Sequence, residues 1–348
     1  MQNPFSLVFG KEPKTLIPNV NQFDEIKDSF LSSNPVSTTT LITGVRGSGK
    51  TVLLTRLNKY FETLDDWIVI ELNPETDMLE YLASSIYENS TSKFHFIKKE
   101  FSFSFSGVSI KLSGDKPVSN VITLIEKMLG ILKKENKKIL VSIDDVSSNK
   151  NVRTFVQQYQ IFIRNDYPLF LLMTGLYENV RCLQNEKSLT FLYRAPMVNI
   201  CPLSMISIAE SFNHLLNINK SDAIELAKLT KGYAFAYQAL GYELFKNNIR
   251  KVTEELIVYF DQSLRDYVYE KVFFDLPEIE KNIIFALTEC EEGNISEIME
   301  KLKITKGSMC QYRDRLIKKG IIVQSGWGKI DFALPRFREY VTLQYYFE

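Results

Sequence analysis

The chain has 348 residues, 45% of them hydrophobic, and its 42 basic and 42 acidic residues cancel to a formal net charge of zero. Such a chain buries a sizeable core and suits two or three domains. Its neutrality excludes a molecule-wide field that would carry it onto nucleic acid or anionic lipid. No apolar run approaches the about 18 residues that a membrane helix needs, and the opening Met-Gln-Asn-Pro is not a signal peptide, so a cytoplasmic location without a membrane partner is expected. Cys182, Cys201, Cys290 and Cys310 lie far apart, and His95 and His214 have no partners at metal-ligand spacing; four inert, buried thiols are the expectation.

Residues 38–43, Thr-Thr-Thr-Leu-Ile-Thr, form an apolar and β-branched run that predicts a buried strand. Residues 44–51 follow directly as Gly-Val-Arg-Gly-Ser-Gly-Lys-Thr, a complete phosphate-loop pattern, and helix is expected from Lys50 to Leu64. Strand before and helix after is the setting this motif requires. Gly44, Gly47 and Gly49 admit unusual dihedrals and let backbone N–H groups approach phosphate oxygens with no side chain in the way. The helix adds its positive N-terminal end, so Gly44, Gly47, Ser48, Gly49, Lys50, Thr51 and Val52 form the expected nucleotide-binding set. Within it Lys50 is placed to reach the β- and γ-phosphates, and the Thr51 hydroxyl to ligate Mg²⁺. Arg46 reads as a variable, solvated position.

The next run, Trp67-Ile68-Val69-Ile70-Glu71-Leu72, predicts a second strand, with a helix near Met78 to Tyr87. A third strand, Lys138 to Ile143, ends in Asp144-Asp145; a fourth, Leu169 to Met173, ends in Thr174-Gly175; a fifth is Val198-Asn199-Ile200. Continuous apolar strands alternating with helices predict an α/β fold, a five-stranded parallel sheet covered on both faces. Between the second and third strands, Phe101-Ser-Phe-Ser-Phe-Ser106 alternates with period two and is followed by Gly107 and Val108-Ser-Ile-Lys-Leu112, the pattern of an inserted β-hairpin near residues 100–113. Phe101, Phe103 and Phe105 would share a face. Packing against the domain is favoured over stacking on single-stranded nucleic acid, because an exposed row of three rings invites aggregation.

From about Ser204 strand signals stop and helical periodicity takes over, through 206–216, 221–230, 233–245, 253–274 and 277–290. A short helix over 294–302 and a longer one over 305–319 precede Gly320 and two strands around a Gly326-Trp327-Gly328 turn. Helix, short helix, longer helix and hairpin is the order of a winged helix-turn-helix. The expected domains are therefore a nucleotide-binding core over 1–203, a helical lid over 204–274 and a winged helix over 275–348.

The third strand speaks to chemistry. An acid at the end of an apolar strand, Asp144, is placed to hold Mg²⁺ directly or through water, and Asp145 stands where an acid can polarise an attacking water. Paired acids there are otherwise a loop start or a helix cap. With the phosphate loop, Ile143-Asp144-Asp145 and Met173-Thr174-Gly175, followed by a helical lid and a winged helix, the chain resembles AAA+ ATPases of the origin-recognition type and the signal-transducing NTPases. Small bacterial members commonly begin with an Asn-Pro-Phe segment and a Phe-Gly-x-x-Pro element; Asn3-Pro4-Phe5 and Phe9-Gly10-Lys11-Glu12-Pro13 stand in that place.

The resemblance implies ATP and Mg²⁺ as cofactors and Mg-dependent ATP hydrolysis. It makes Thr174 a sensor that hydrogen-bonds the γ-phosphate or the attacking water, unless it is merely a strand-ending turn residue. It gives Arg194 a place from which an arginine reaches a neighbouring subunit's γ-phosphate in a homo-oligomer, a surface arginine being the alternative. Three departures stand out: the usual Gly-Arg pair is replaced near Pro18-Asn19, the second acid is Asp145 rather than Glu, and the lid helix beginning Gly232-Tyr233-Ala234-Phe235 offers no arginine, with Lys231 only nearby. Slow hydrolysis, or a switch in which binding matters more than turnover, is expected.

Between 295 and 341 the basic residues Lys301, Lys303, Lys306, Arg313, Arg315, Lys318, Lys319, Lys329, Arg336 and Arg338 outnumber Glu297, Glu300, Asp314, Asp331 and Glu339, a net +5 inside a neutral chain. A local patch of that kind is what binding to double-stranded DNA requires. Lys306, Ser308, Gln311, Tyr312 and Arg315 fall on the first half of the expected recognition helix, with Trp327 and Lys329 at the wing tip. Winged helices also serve as rigid protein-docking modules. The expected function is an ATPase of low turnover that couples nucleotide state to DNA binding, the alternative being a nucleotide-switched signalling or assembly protein whose winged helix binds protein.

Overall fold

The computed structural model describes residues 2–8, 10, 12–18, 20–89, 103–105, 108–110 and 121–347. In chain order come α1 (Val20–Leu31), β1 (Thr39–Thr43), α2 (Lys50–Glu62), β2 (Trp67–Leu72), α3 (Met78–Asn89), β3 (Phe103–Phe105), β4 (Val108–Ile110), α4 (Val121–Lys134), β5 (Lys138–Ile143), α5 (Lys150–Arg164), β6 (Leu169–Gly175), α6 (Tyr177–Asn185) and β7 (Met197–Asn199). Helices then follow one another: α7 (Met205–Leu216), α8 (Lys220–Leu229), α9 (Ala234–Lys246), α10 (Glu254–Leu264), α11 (Glu270–Phe274), α12 (Glu278–Thr288), α13 (Ile295–Leu302) and α14 (Lys306–Lys318). β8 (Ile322–Gly326), β9 (Lys329–Phe332) and α15 (Phe337–Phe347) close the chain.

The chain divides into two compact units, one comprising residues 22–42 and 53–198, the other 1–21, 43–52 and 199–348. The first is built on the parallel sheet, strand order β2-β5-β6-β1-β7, so the expected five-stranded α/β core is present. β2 runs parallel to β5 with Trp67 opposite Lys138 and Leu72 opposite Ile143, and β5 runs parallel to β6 with Ile139 opposite Leu169. Every residue of β6, and all of β5 after Lys138, is buried. A strand buried at consecutive positions is covered on both faces, which is why these runs show no polar alternation. Thr39 is polar yet buried because its hydroxyl meets the buried Tyr159 hydroxyl at 3.0 Å, while that phenol donates to the Thr38 carbonyl at 2.9 Å. β3 and β4 pair antiparallel with Phe103 opposite Ile110. The side chains of Phe101, Phe103 and Phe105 lie outside the described residues, as do His95, Phe9, Lys11 and Asn19.

In the second unit, lid helices and winged helix share one hydrophobic cluster that runs from Phe5 and Leu203 through Phe212, Leu240 and Phe260 to Leu316, Phe332 and Val341. The helix expected over 253–274 is interrupted by a π-helical turn, Arg265–Tyr269. The wider turn leaves Arg265, Asp266 and Tyr267 outward and returns Val268 and Tyr269 to the core, where Tyr269 donates to the Pro335 carbonyl and meets the Phe337 ring edge-on at 4.8 Å. Asn294 and Thr305 cap α13 and α14 through their side chains. Gly293 takes a positive φ of 64°, and a Cβ there would run into the Ile330 carbonyl, so this turn accepts only glycine. The expected burial of all four cysteines holds for Cys290 alone; Cys182, Cys201 and Cys310 are exposed. Cys310 sits one position past the buried Met309, hence about 100° around α14 from the core face.

Candidate functional site

The phosphate loop belongs to the same unit as the helical lid and winged helix. Gly47 and Gly49 take φ values of 75° and 101°, where a side chain would be strained, and a Cβ on Gly44 would lie 2.6 Å from Ser48 Oγ. The loop folds on itself: Ser48 N–H donates to the Val45 carbonyl at 3.2 Å, and Lys50 Nζ donates to the carbonyls of Gly44 and Val45, each at 3.1 Å. The Ser48 hydroxyl is buried with no hydrogen-bond partner among the described residues. A cradle without Cβ atoms, an ammonium on its rim and an orphaned hydroxyl fit a polyphosphate. Thr51 and Val52 fall in the first turn of α2. Arg46 departs from expectation: it is half-buried, its Nε is shielded from solvent without a hydrogen-bond partner among the described residues, and its carbonyl accepts from Tyr233.

That contact comes from residues that motif reasoning passed over. The Tyr233 hydroxyl donates to the Arg46 carbonyl, and the Phe235 N–H at the start of α9 donates to the Gly47 carbonyl at 3.1 Å. Burial pushes the Tyr233 phenol far above its ordinary range, with Arg46 acting the other way, so it stays a donor. Val45 packs against the same cluster and faces Gly320 at the end of α14. In sequence the only signal was the run Gly232-Tyr233-Ala234-Phe235, whose missing arginine was visible and whose tyrosine was not. Lys231, the cation nearest that run, turns to β9, where its Nζ donates to the Phe332 carbonyl at 2.8 Å and lies 3.4 Å from Asp331 Oδ2.

Asp144 and Asp145 belong to the other unit, directly after β5, with Thr174 near the C-terminal end of β6. Thr174 is fully buried; its hydroxyl donates to Asp144 Oδ1 and accepts the Asp145 N–H at 3.0 Å. Its hydroxyl proton is directed to Asp144, so Thr174 braces the acidic turn here. Asp145 is exposed in a left-handed conformation, φ 51°, which aspartate tolerates better than most side chains. Asn149 caps α5 and its Nδ2 donates to the Pro74 carbonyl at 3.0 Å, tying the loop after β5 to the loop after β2. Glu71 is an acid that motif reasoning missed. Partial desolvation of this otherwise exposed residue first, then the Asp144 and Glu62 carboxylates, push its pKa up, which places a third carboxyl near Asp144. Its signal was a lone charge in the apolar run of β2. Arg194 ends a 3-10 turn, Thr190–Arg194, and is exposed.

The winged helix presents fewer of its cations than its composition suggested. Lys301 pairs with Glu289, Arg313 with Asp314, Lys329 with Glu292, Arg336 with Asp261 and Glu339, and Arg338 with Asp331. Arg315 lies 3.5 Å and Lys319 2.6 Å from Glu280, which is fully buried on α12. Ser308 serves the cap of α14, its hydroxyl 3.0 Å from Thr305 Oγ1, and Tyr312 is half-buried against the core. Lys306 and Gln311 remain exposed, and Trp327 is 98% exposed at the wing tip.

A family described as a domain of unknown function, DUF8462, matches residues 266–341, the span from the π-helical turn into α15. No curated protein matches the chain. Among solved structures, a Walker-type ATPase of Pyrococcus abyssi is similar at a TM-score of 0.61 and 17% identity, over 94% of this chain and 96% of that one. The ORC2 protein of Aeropyrum pernix, in ADPNP–ADP complexes, is similar at a TM-score of 0.56 and 12% identity, over 98% of each chain. At such identities the likeness speaks for the fold. No helix among the described residues is long and apolar enough to cross a membrane. The chain thus shares its fold with a Walker-type ATPase and with an ORC2 protein.

Proposed function

We propose that the protein binds Mg·ATP at residues 44–51, hydrolyses it slowly, and uses nucleotide state to control engagement of double-stranded DNA by its C-terminal winged helix. The observation that carries this reading is the direct bonding of the phosphate-loop carbonyls of Arg46 and Gly47 to Tyr233 and Phe235 of the helical module, which shares its hydrophobic cluster with the winged helix. In this reading Gly44, Gly47, Ser48, Gly49 and Val52 line the phosphates, Lys50 neutralises them, Thr51 and Asp144 ligate Mg²⁺, Asp145 orients water, and Arg194 serves a neighbouring subunit. Bound Mg²⁺ supplies charge neutralisation between the β- and γ-phosphates. Lys306 and Gln311 of α14, both exposed, would meet the duplex. The test is DNA titration of wild-type and Lys50→Ala chains with Mg·ATP and Mg·ADP. Wild-type affinity should change with nucleotide and the variant's should not; no detectable duplex binding at low salt in any nucleotide state overturns the DNA half.

A second output, docking of the winged helix on a protein, is favoured by one observation. Lys301, Arg313, Arg315, Lys319, Lys329, Arg336 and Arg338 are all paired with acids of the chain itself, which reduces the field available to phosphates. Lys306→Glu with Gln311→Glu distinguishes the two: loss of duplex binding supports the first, and loss of a protein complex with duplex binding intact supports the second.

A further inference from the structure

Residues 231–235 join the phosphate loop to the wing. A peptide group is planar and trans, so its C=O and the N–H of the next residue point in opposite directions. Holding the Arg46 carbonyl against the Tyr233 hydroxyl therefore turns the Gly47 N–H away from the lid helix, and holding the Gly47 carbonyl against the Phe235 N–H does the same for the Ser48 N–H. The Gly47 N–H is thereby turned to where a phosphate would meet it, while the Ser48 N–H is spent inside the loop on the Val45 carbonyl at 3.2 Å. Tyr233 is 6% exposed, and a Cβ on Gly47 would run into its hydroxyl. Just before it, Lys231 and Gly232 take φ values of 47° and 73°, and a Cβ on Gly232 would lie 2.7 Å from the Leu203 carbonyl, so this short span cannot relax freely. Its other end is the Lys231 ammonium, bonded to the Phe332 carbonyl and beside Asp331 on β9.

We propose that Tyr233 is a positioning residue that presets the Gly47 N–H of the phosphate loop for polyphosphate, and that Lys231 transmits the loop's occupancy to strand β9 of the wing. This rests on the ATP-binding reading and adds to it the route by which the bound state reaches the wing. The phenol does from the lid what loop sequence alone does not: it fixes which way the peptide at 46–47 faces. Lys231 acts at a distance from the phosphates and contributes nothing to holding them.

The experiment uses full-length wild type, Tyr233→Phe and Lys231→Met, titrated calorimetrically with a slowly hydrolysed ATP analogue and Mg²⁺, with amide hydrogen exchange read at 44–51 and 329–332. Tyr233→Phe removes one hydrogen bond and should weaken the analogue about five- to tenfold, with faster exchange at Gly47 and Ser48 in the free protein. Lys231→Met should bind the analogue as wild type does, yet lose the nucleotide-induced change in exchange at 329–332. Wild-type affinity and loop exchange in Tyr233→Phe, or a persisting response at 329–332 in Lys231→Met, overturns the proposal. Should Tyr233→Phe fail to fold, Lys231→Met, altered at a half-exposed side chain, decides the transmission half. If wild type binds no nucleotide, the ATP-binding reading fails, and free-protein exchange at Gly47 and Ser48 still decides the positioning role.

Discussion

Replacing Thr174 by valine keeps the shape of the side chain and removes the oxygen on which the acidic turn depends. The hydroxyl makes two bonds in a fully buried position, one donated to the Asp144 carboxylate and one accepted from the Asp145 N–H. A net neutral hydrogen bond is worth about 1 kcal/mol and one to a charged group about 1.5–3 kcal/mol. Burying a methyl in place of the hydroxyl returns about 0.8 kcal/mol, and water can reach the half-buried Asp144. Thr174→Val should therefore lose about 2–3 kcal/mol by chemical denaturation. Thr174→Ser keeps both bonds and gives up one methyl, a loss of about 1 kcal/mol. In turnover assays the serine variant should retain ATP hydrolysis, because the hydroxyl acts by holding Asp144, while the valine variant should need more Mg²⁺ for half-maximal rate. A valine variant within about 0.5 kcal/mol of wild type, or a serine variant as unstable as the valine, would refute this account.

Gly47→Ala places a methyl on the Tyr233 hydroxyl at a φ of 75°, so the free protein should lose about 1–3 kcal/mol and the thermal shift with Mg·ATP should vanish; Gly307→Ala, open on all sides, should instead gain about 0.5–1 kcal/mol. Lys50→Ala should abolish the stabilisation by nucleotide, which at a hundredfold excess over Kd is about 2.7 kcal/mol for wild type in a melting scan. Lys319→Met strands the buried Glu280 with only the longer Arg315 contact and should cost about 3 kcal/mol, whereas Glu280→Leu with Lys319→Met should recover most of it; equal losses in single and double variants would sink the explanation. Tyr159 has its pKa raised by burial to about 12 from 10.0, so the stability it contributes is complete below pH 10 and is lost as pH rises through about 12. An alkaline denaturation series should therefore show a shallower fall for Tyr159→Phe than for wild type between those limits.

What sequence determined on its own was whatever depends on residues close together in the chain. β1, the phosphate loop and α2 form one continuous run, and the apolar strands β5 and β6 show their burial on both faces directly in composition. The acids after β5 were legible because a charge that ends an apolar strand is conspicuous. A glycine stop likewise marked the end of α14. What only the tertiary structure decided was which polar atoms satisfy which others across long separations. Thr174 could be read in sequence as a sensor or as a strand-ending turn residue, and only the fold brings its hydroxyl to Asp144, thirty positions away. Arg315 and Lys329 counted as surface charge, and both are matched by Glu280 and Glu292, acids outside the helix and wing that they were counted in. Tyr233 carried no motif at all, yet it bonds the phosphate-loop backbone 187 residues earlier. A hydrogen bond needs a donor and an acceptor in one place, and the chain's spacing leaves that undetermined until burial has brought them together.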